Sequence, residues 1–552
     1  VLFRTVLFRT APHCSELMPQ EACVPDATLF AALMAPTPGS SSTRLQRVLG
    51  AVERVGNRLP NPATLFALLA TAVVLLSWPL AEAGVSATHP TTGKAVAVVS
   101  LFSVEGLHRI LTGVIGNFIN FPPLGTVIVC LLGIAVAEYT GLIGAALRLI
   151  VLSSPARLLT PMVVFAGVMS NIGGDVGYVL LLPLAAGIFH AVGRHPLAGL
   201  AAAFAGVSGG FSANLLLGTI DVLLSGISEV AAQIIQPGIR VTAFANYYFM
   251  AVSTFLVTGV GWWVSDRIVE PRLGRYEGSS PREPLTPLST AERRGLMAAS
   301  VASLALAAIT VWGCLPVGGA GQGFLRDPGN PADFFQSYFI RGLTAFIFLA
   351  GFVSGLAYGI AAGTVRSDHD VAKGMNTAMA TMGSYLVMAF FAAQFIAFFN
   401  WTNLGTVIAV KGADLIRGLG LQDQPILLMI ALVLFTGSVN LMIASASAKW
   451  ALLAPIFVPM FMLLGYSPEL TQAAFRVGDS VTNIITPLMG MFPLALSYAQ
   501  RHVPSAGIGT MIATMLPYSV AFLAVWLALL ILWIALGWPL GPDALLTLAP
   551  AR

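Results

Sequence analysis

Of 552 residues, 28 are Lys or Arg and 24 Asp or Glu, a charged share of 9% where a soluble globular chain carries roughly 25%. With 57% hydrophobic residues and a mean hydropathy of +0.83, soluble, disordered and nucleic-acid-binding classes are excluded, and the chain reads as an all-α polytopic membrane protein. Its 55 Gly and 34 Pro fit membrane helices whose neighbours re-satisfy freed backbone groups, while Cys14, Cys23, Cys130 and Cys314 lie too far apart for a disulfide or zinc framework.

The first ten residues are VLFRT twice over, which reads as a start-site artefact ahead of a natural-looking beginning at Met34. Residues 1–42 are expected to form a disordered tail. Apolar runs long enough to cross the hydrocarbon, roughly 20 residues each, fall at 63–84, 120–150, 196–220, 245–265, 295–314, 339–362, 376–400, 469–492 and 507–537. Two more, 158–192 and 426–464, are interrupted at mid-depth by SNIGGDVGY and SVNLMIASASAKW. Irregular backbone is forbidden against lipid at that depth, so both breaks must line a protein cavity.

Charge placement decides how the broken stretches run. With an inner N-terminus and both stretches returning to their own side, the Arg and Lys groups at 44–58, 157, 194, 267–294, 366–373 and 501 all fall inside. Scattered residues such as Lys94, Arg109, Arg240, Arg326, Lys411 and Arg417 remain outside. The expected fold is therefore nine transmembrane helices plus two opposed re-entrant helical hairpins. Residues 101–115 (LFSVEGLHRILTGVI) carry apolar side chains at helical spacing and are expected along the outer interface. Residues 267–294 hold ten charged residues and four prolines, the composition of a cytoplasmic linker. It separates a first membrane half, 43–266 with hairpin 1 at 158–192, from a second, 295–540 with hairpin 2 at 426–464. A C-terminal tail follows at 541–552.

Sliding the chain on itself by 272 residues aligns 180–208 with 452–480 without a gap, and ten of 29 positions are identical. They include Pro183/Pro455, Phe189/Phe461, Gly193/Gly465, Pro196/Pro468, Gly206/Gly478 and Ser208/Ser480. Upstream, EYTGL at Glu138 pairs with NWTNL at Asn400. In the expected topology the two hairpins enter from opposite sides, so the repeat is inverted, an arrangement that puts binding sites where broken helices meet at mid-membrane.

Ionisable groups at mid-depth are costly and mark function by default; here they are Glu138, Asp175, Asp221, Lys449, Arg476 and Asp479. Asp479 lies in FRVGDSVTNIITP, where Gly478, Ser480, Thr482, Asn483 and Pro487 argue against continuous helix and for free carbonyls around one carboxylate. Oxygen ligands about a single negative charge suit a monovalent cation or a proton relay, with Asn440 as the natural partner. The competing reading is a plain ion pair with Arg476, three residues away on one helical face. Arg476 is placed to clamp a carboxylate bidentately, and Trp450 either offers a face to an aromatic ring or is a core tryptophan. Lys449 is long enough to snorkel toward water. In SGGFSANLLLGTID (208–221), Gly209 and Gly210 break the helix while Ser212 and Asn214 offer oxygens. Asp221, two turns further out, reads as a gate, a proton relay or a solvated helix end. Asn171 and Asp175 either complete a second cation site or satisfy the first hairpin's own backbone.

Enzyme readings fare poorly. The seven histidines (13, 89, 108, 190, 195, 369, 502) lie at segment ends or in tails, so no intramembrane metal cluster is expected. The aspartates lack a GxGD setting, and without a P-loop or a long ATPase domain transport must draw on an ion gradient. The alternatives from other classes are a passive channel or a membrane-embedded enzyme.

The stretches ERVGNRLPNPATLF, SNIGGDVGYVLLLPLA, SGGFSANLLLGTIDVLLSGIS, QFIAFFNWTNLG and FRVGDSVTNIITPLM resemble the p-aminobenzoyl-glutamate transporter (AbgT) family of bacterial inner-membrane carriers, from about residue 50 to 535. The resemblance implies a similar architecture of nine helices, opposed hairpins and an inverted repeat, and a homodimer with an aqueous bowl. It implies import of p-aminobenzoyl-glutamate or export of sulfonamide antimetabolites. It points to Asp221, Trp450, Pro468 and Arg476 for substrate passage and to Asn440 and Asp479 for sodium. The expected function is secondary transport of such aromatic carboxylates or sulfonamides, coupled to Na+ or H+, with no other cofactor and no nucleic-acid partner. Asn483, Asn171, Asp175 and Asn214 join the candidate ion ligands, and the runner-up is proton-driven drug efflux with Asp221 as relay.

Overall fold

In hydrocarbon a backbone must satisfy its own N–H and C=O groups, and helices do this within one segment. The computed structural model describes residues 60–548 except 89–94, 174–175, 277, 279–286, 317–322, 333 and 335–336. The expected tail at 1–42, Asp175, Lys94 and much of the linker lie outside the described residues.

The first half runs α1 (Pro62–Glu82), a short antiparallel ribbon of β1 (Ser86–Thr88) and β2 (Ala95–Ala97), then α2 (Val104–Ile119) and α3 (Pro122–Tyr139). It continues through α4 (Leu142–Leu152), α5 (Leu159–Ser170), α6 (Leu182–Ala191), α7 (Pro196–Phe204), α8 (Thr219–Ala232) and α9 (Tyr247–Val264). The second half comprises α10 (Thr290–Cys314), α11 (Leu343–Ala362), α12 (Asp368–Thr381), α13 (Gly383–Trp401), α14 (Leu404–Gly418) and α15 (Pro425–Asn440). It ends with α16 (Ala446–Met462), α17 (Pro468–Asn483), α18 (Phe492–His502) and α19 (Ile508–Leu536).

Among the described residues, seven helical stretches are long and apolar enough to cross a membrane: α1, Val104–Tyr139, Tyr247–Leu273, α10, α11, α13 and α19. Several expected spans are therefore corrected. The run at 120–150 is two helices, because Gly141 adopts a left-handed φ of 92° between α3 and α4. In the run at 196–220, α7 passes into a π turn (Ala205–Gly209), and residues 211–218 are not helical. The run at 376–400 is divided at Met382 between α12 and α13. Over 469–492, where Gly478 and Ser480 argue against continuous helix, α17 runs unbroken through Gly478 to Asn483, and irregular chain follows only after it. Helix α2 leaves Val104, Leu107, Leu111, Ile115 and Ile119 exposed, an apolar stripe of the kind the interfacial reading requires.

The sequence repeat recurs in local structure. Gly193 and Gly465 end α6 and α16 with φ of 81° and 94°. Pro196 and Pro468 then open α7 and α17, capped by the side chains of His195 and Ser467. Gly141 before α4 and Asn403 before α14 both have positive φ. The match reaches the backbone crossings. A Cβ on Gly206 would lie 2.3 Å from the Val164 carbonyl of α5, and one on Gly478 would lie 2.3 Å from the Val433 carbonyl of α15. Glycine lets each pair of helices approach main chain to main chain, a common membrane device. Residues 541–548, expected as a tail, dock instead: Ser467 N donates to Leu546 O (3.0 Å) and Leu548 N to Gly465 O (2.9 Å), at the start of α17.

Candidate functional site

Helix α17 is polar in sequence yet fourteen of its sixteen residues are buried, so each polar side chain needs a partner. Gln472, Arg476, Asp479 and Asn483 recur at spacings of four, three and four, which puts them on one face of a continuous helix. Two buried ion pairs form there. Arg476 Nη1 lies 2.7 Å from Asp221 Oδ1, and Nη2 donates to Ser212 O at 3.2 Å. Asp221 Oδ2 accepts the Gly218 amide at 2.8 Å, closing the first turn of α8. The broken segment 210–221 thus wraps the guanidinium, aided by Ser212 N donating to Ser480 Oγ at 3.1 Å. One turn along α17, Asp479 Oδ1 pairs with the Lys449 ammonium. That ammonium also donates to Asn440 Oδ1 and, at 3.3 Å, to Ile443 O.

Asn440 joins α15 to α17. Its Nδ2 lies 2.7 Å from Asp479 O, 2.8 Å from Thr482 Oγ1 and 2.8 Å from Asn483 Oδ1. An amide nitrogen has two protons for these three acceptors. Oxygens in excess of donors, beside a carboxylate, are the ligand set a hard monovalent cation takes. At the other pair, Arg476 Nε and Ser212 Oγ are buried without hydrogen-bond partners among the described residues, so the guanidinium keeps donor capacity that an anion would use.

Several expectations change. Asp479 pairs with Lys449 rather than Arg476, and Lys449 is fully buried instead of reaching water. Asp221 is not a solvated helix end; it is 6% exposed and ion-paired. Trp450 is a core residue here, fully buried, with its ring 4.3 Å from that of Phe475. Its Nε1 donates to Ser228 Oγ (2.9 Å) and Leu224 O (3.2 Å). Pro468 starts α17, eight residues from Arg476, or roughly 12 Å at 1.5 Å per residue. Asn171 directs Nδ2 at Val168 O at 3.1 Å, which is the backbone-satisfying alternative, and Asn214 directs Nδ2 at the same oxygen at 3.5 Å.

A polar chain that the sequence did not disclose runs beside Trp450. Ser228 Oγ donates to Gln472 Oε1 (2.6 Å), Gln472 Nε2 to Asn246 Oδ1 (3.0 Å), and Asn246 Nδ2 to Glu469 O (2.8 Å). The available signal was the polar periodicity of α17, legible only if the segment is taken as helix.

Residues 47–548 match the AbgT putative transporter family. The chain belongs to that family. A p-aminobenzoyl-glutamate transport protein of Escherichia coli (strain K12) is 43% identical over 503 residues, covering 91% of this chain and 97% of the relative. The crystal structure of the Alcanivorax borkumensis YdaH transporter, described as having an unusual topology, superposes with a TM-score of 0.82 at 44% identity, covering 88% of this chain and all of that one. Neisseria gonorrhoeae MtrF, described within a class of antimetabolite efflux pumps, superposes with a TM-score of 0.85 at 47% identity, covering 90% and 100%. An AbgT-family chain of this kind is a multi-pass membrane transporter and not an enzyme.

Proposed function

We propose that this transporter carries p-aminobenzoyl-glutamate-like aromatic carboxylates, and sulfonamide antimetabolites of similar shape, across a bacterial inner membrane in exchange for the energy of a cation gradient. The observation that carries the reading is the pairing of Arg476–Asp221 and Lys449–Asp479 on adjacent turns of α17. A substrate carboxylate competes with Asp221 for Arg476 and takes the Nε that has no partner among the described residues. We take the coupling cation to be sodium, because the site offers several oxygens and not a lone proton acceptor. It takes the oxygens of Asp479, Asn440 and, at the end of α17, Asn483. Because both events act on one rigid helix, each changes the other's equilibrium, which is the thermodynamic content of coupling.

The same reading assigns α5–α6 and α15–α16 as the two re-entrant hairpins. It is supported by their lengths of 12, 10, 16 and 17 residues, each short of the roughly 20 needed to cross hydrocarbon. Inversion of the repeat follows if they enter from opposite faces. A homodimer is proposed on the family resemblance alone, because exposed apolar residues such as Met297, Val301, Leu304 and Val311 of α10 suit contact with lipid.

Equilibrium binding to purified protein tests the substrate class. Labelled p-aminobenzoyl-glutamate should bind saturably and be displaced by a sulfonamide, whereas its uncharged diamide should bind at least roughly tenfold more weakly, about 1.4 kcal/mol. Equal displacement by the diamide would remove the arginine from recognition and overturn this reading.

A further inference from the structure

We infer that the Lys449 ammonium is a tethered cation that occupies the coupling-cation cradle and must leave it when the free cation binds. This rests on the proposed coupling of transport to a cation at Asp479. The ammonium is surrounded by Asp479 Oδ1, Asn440 Oδ1 and Ile443 O, three oxygens from three different segments, which is a coordination set and not a surface ion pair. Its position is otherwise unfavourable. Lys449 is fully buried in the first turn of α16, where the helix macrodipole disfavours positive charge. A locally unfavourable choice with no packing gain points to function.

The repeat isolates what has been added. The counterpart of Lys449 at the 272-residue offset is Gly177, and that of Asp479 is Val207. Those counterparts also meet: a Cβ on Gly177 would lie 3.0 Å from Val207 Cγ1. The first half therefore keeps the geometry with neither charge, and the second half holds carboxylate and ammonium as a unit. Exchange of a tethered +1 for a free +1 leaves the buried carboxylate compensated in both states, and an uncompensated buried charge is the costly alternative.

The exchange also reaches the turn joining α15 to α16. Ile443 lies in the non-helical turn 441–445, where Met442 and Ser445 are exposed, so an ammonium leaving the cradle has a route toward Ser445. Its departure breaks the bond to Ile443 O and with it the link that runs from this turn through Lys449 to Asp479 of α17. The Phe475 ring, 5.9 Å from Nζ, offers a second resting place through its π face.

Substrate flux into proteoliposomes, with sodium chloride titrated against choline chloride, tests the exchange. Lys449→Met removes the competitor, so its half-saturating sodium concentration should fall roughly tenfold or more. Sodium-dependent wild-type flux with an unchanged half-saturating concentration in K449M overturns this inference alone; wild-type flux indifferent to sodium overturns the coupling reading and this inference with it. A second arm needs no variant. Reductive methylation of purified wild-type protein, followed by mass spectrometry, should modify Lys449 faster in sodium chloride than in choline chloride, and equal rates would contradict the displacement.

Discussion

Replacing Asp479 by Asn is expected to abolish cation-dependent accumulation of substrate in proteoliposomes, leaving at most downhill leak. The amide keeps the shape and one oxygen but removes the charge, so the cradle no longer distinguishes a cation from water. It also leaves the Lys449 ammonium buried beside Asn440 without its counter-ion, and breaking a buried pair costs about 3–5 kcal/mol. Reduced thermal stability should accompany the loss of coupling. The double variant Asp479→Asn with Lys449→Met removes both charges and should recover stability without recovering coupling. Gradient-driven accumulation by the single variant would show that the cation acts elsewhere.

Arg476→Ala is expected to raise the apparent substrate constant roughly 100-fold, about 2.7 kcal/mol, through loss of a charge-assisted contact to carboxylate. The variant strands Asp221, which is 6% exposed and paired with this guanidinium, so lower protein yield is expected too. Arg476→Ala combined with Asp221→Ala separates the two effects. Yield should return because no buried charge is left alone, while the substrate constant stays high. Recovery of affinity in the double variant would make Arg476 a structural residue that merely neutralises Asp221.

The repeat was legible in sequence because Gly193, Gly465, Pro196, Pro468, Gly206 and Gly478 serve backbone needs, left-handed caps, helix starts and close crossings, that few other residues meet. The importance of Asn440, Arg476 and Asp479 was legible because ionisable and amide groups are costly in an apolar setting. Their partners were not. Arg476 and Asp479 are three apart, so a local rule pairs them, yet each turns to a charge on another helix, Asp221 on α8 and Lys449 on α16. Such pairings are tertiary and leave no spacing signal. The break expected at Gly478 is absent for a related reason, whereas those expected within 171–179, 440–446 and at Gly209 and Gly210 are present. Gly478 and Ser480 lower helix propensity, but α17 is packed on all sides and that context overrides propensity. By contrast, Gly209 and Gly210 mark in sequence the point where the run 196–220 leaves helix, but nothing there shows that the released segment wraps Arg476 with Ser212 and Asp221.

The most direct test of the account is flux of labelled p-aminobenzoyl-glutamate in proteoliposomes of wild-type protein with sodium and pH gradients imposed separately. The account predicts uphill accumulation driven by the sodium gradient at equal pH, saturable in substrate and absent in Asp479→Asn. Accumulation driven by the pH gradient alone, or flux that follows only the substrate gradient, would contradict it.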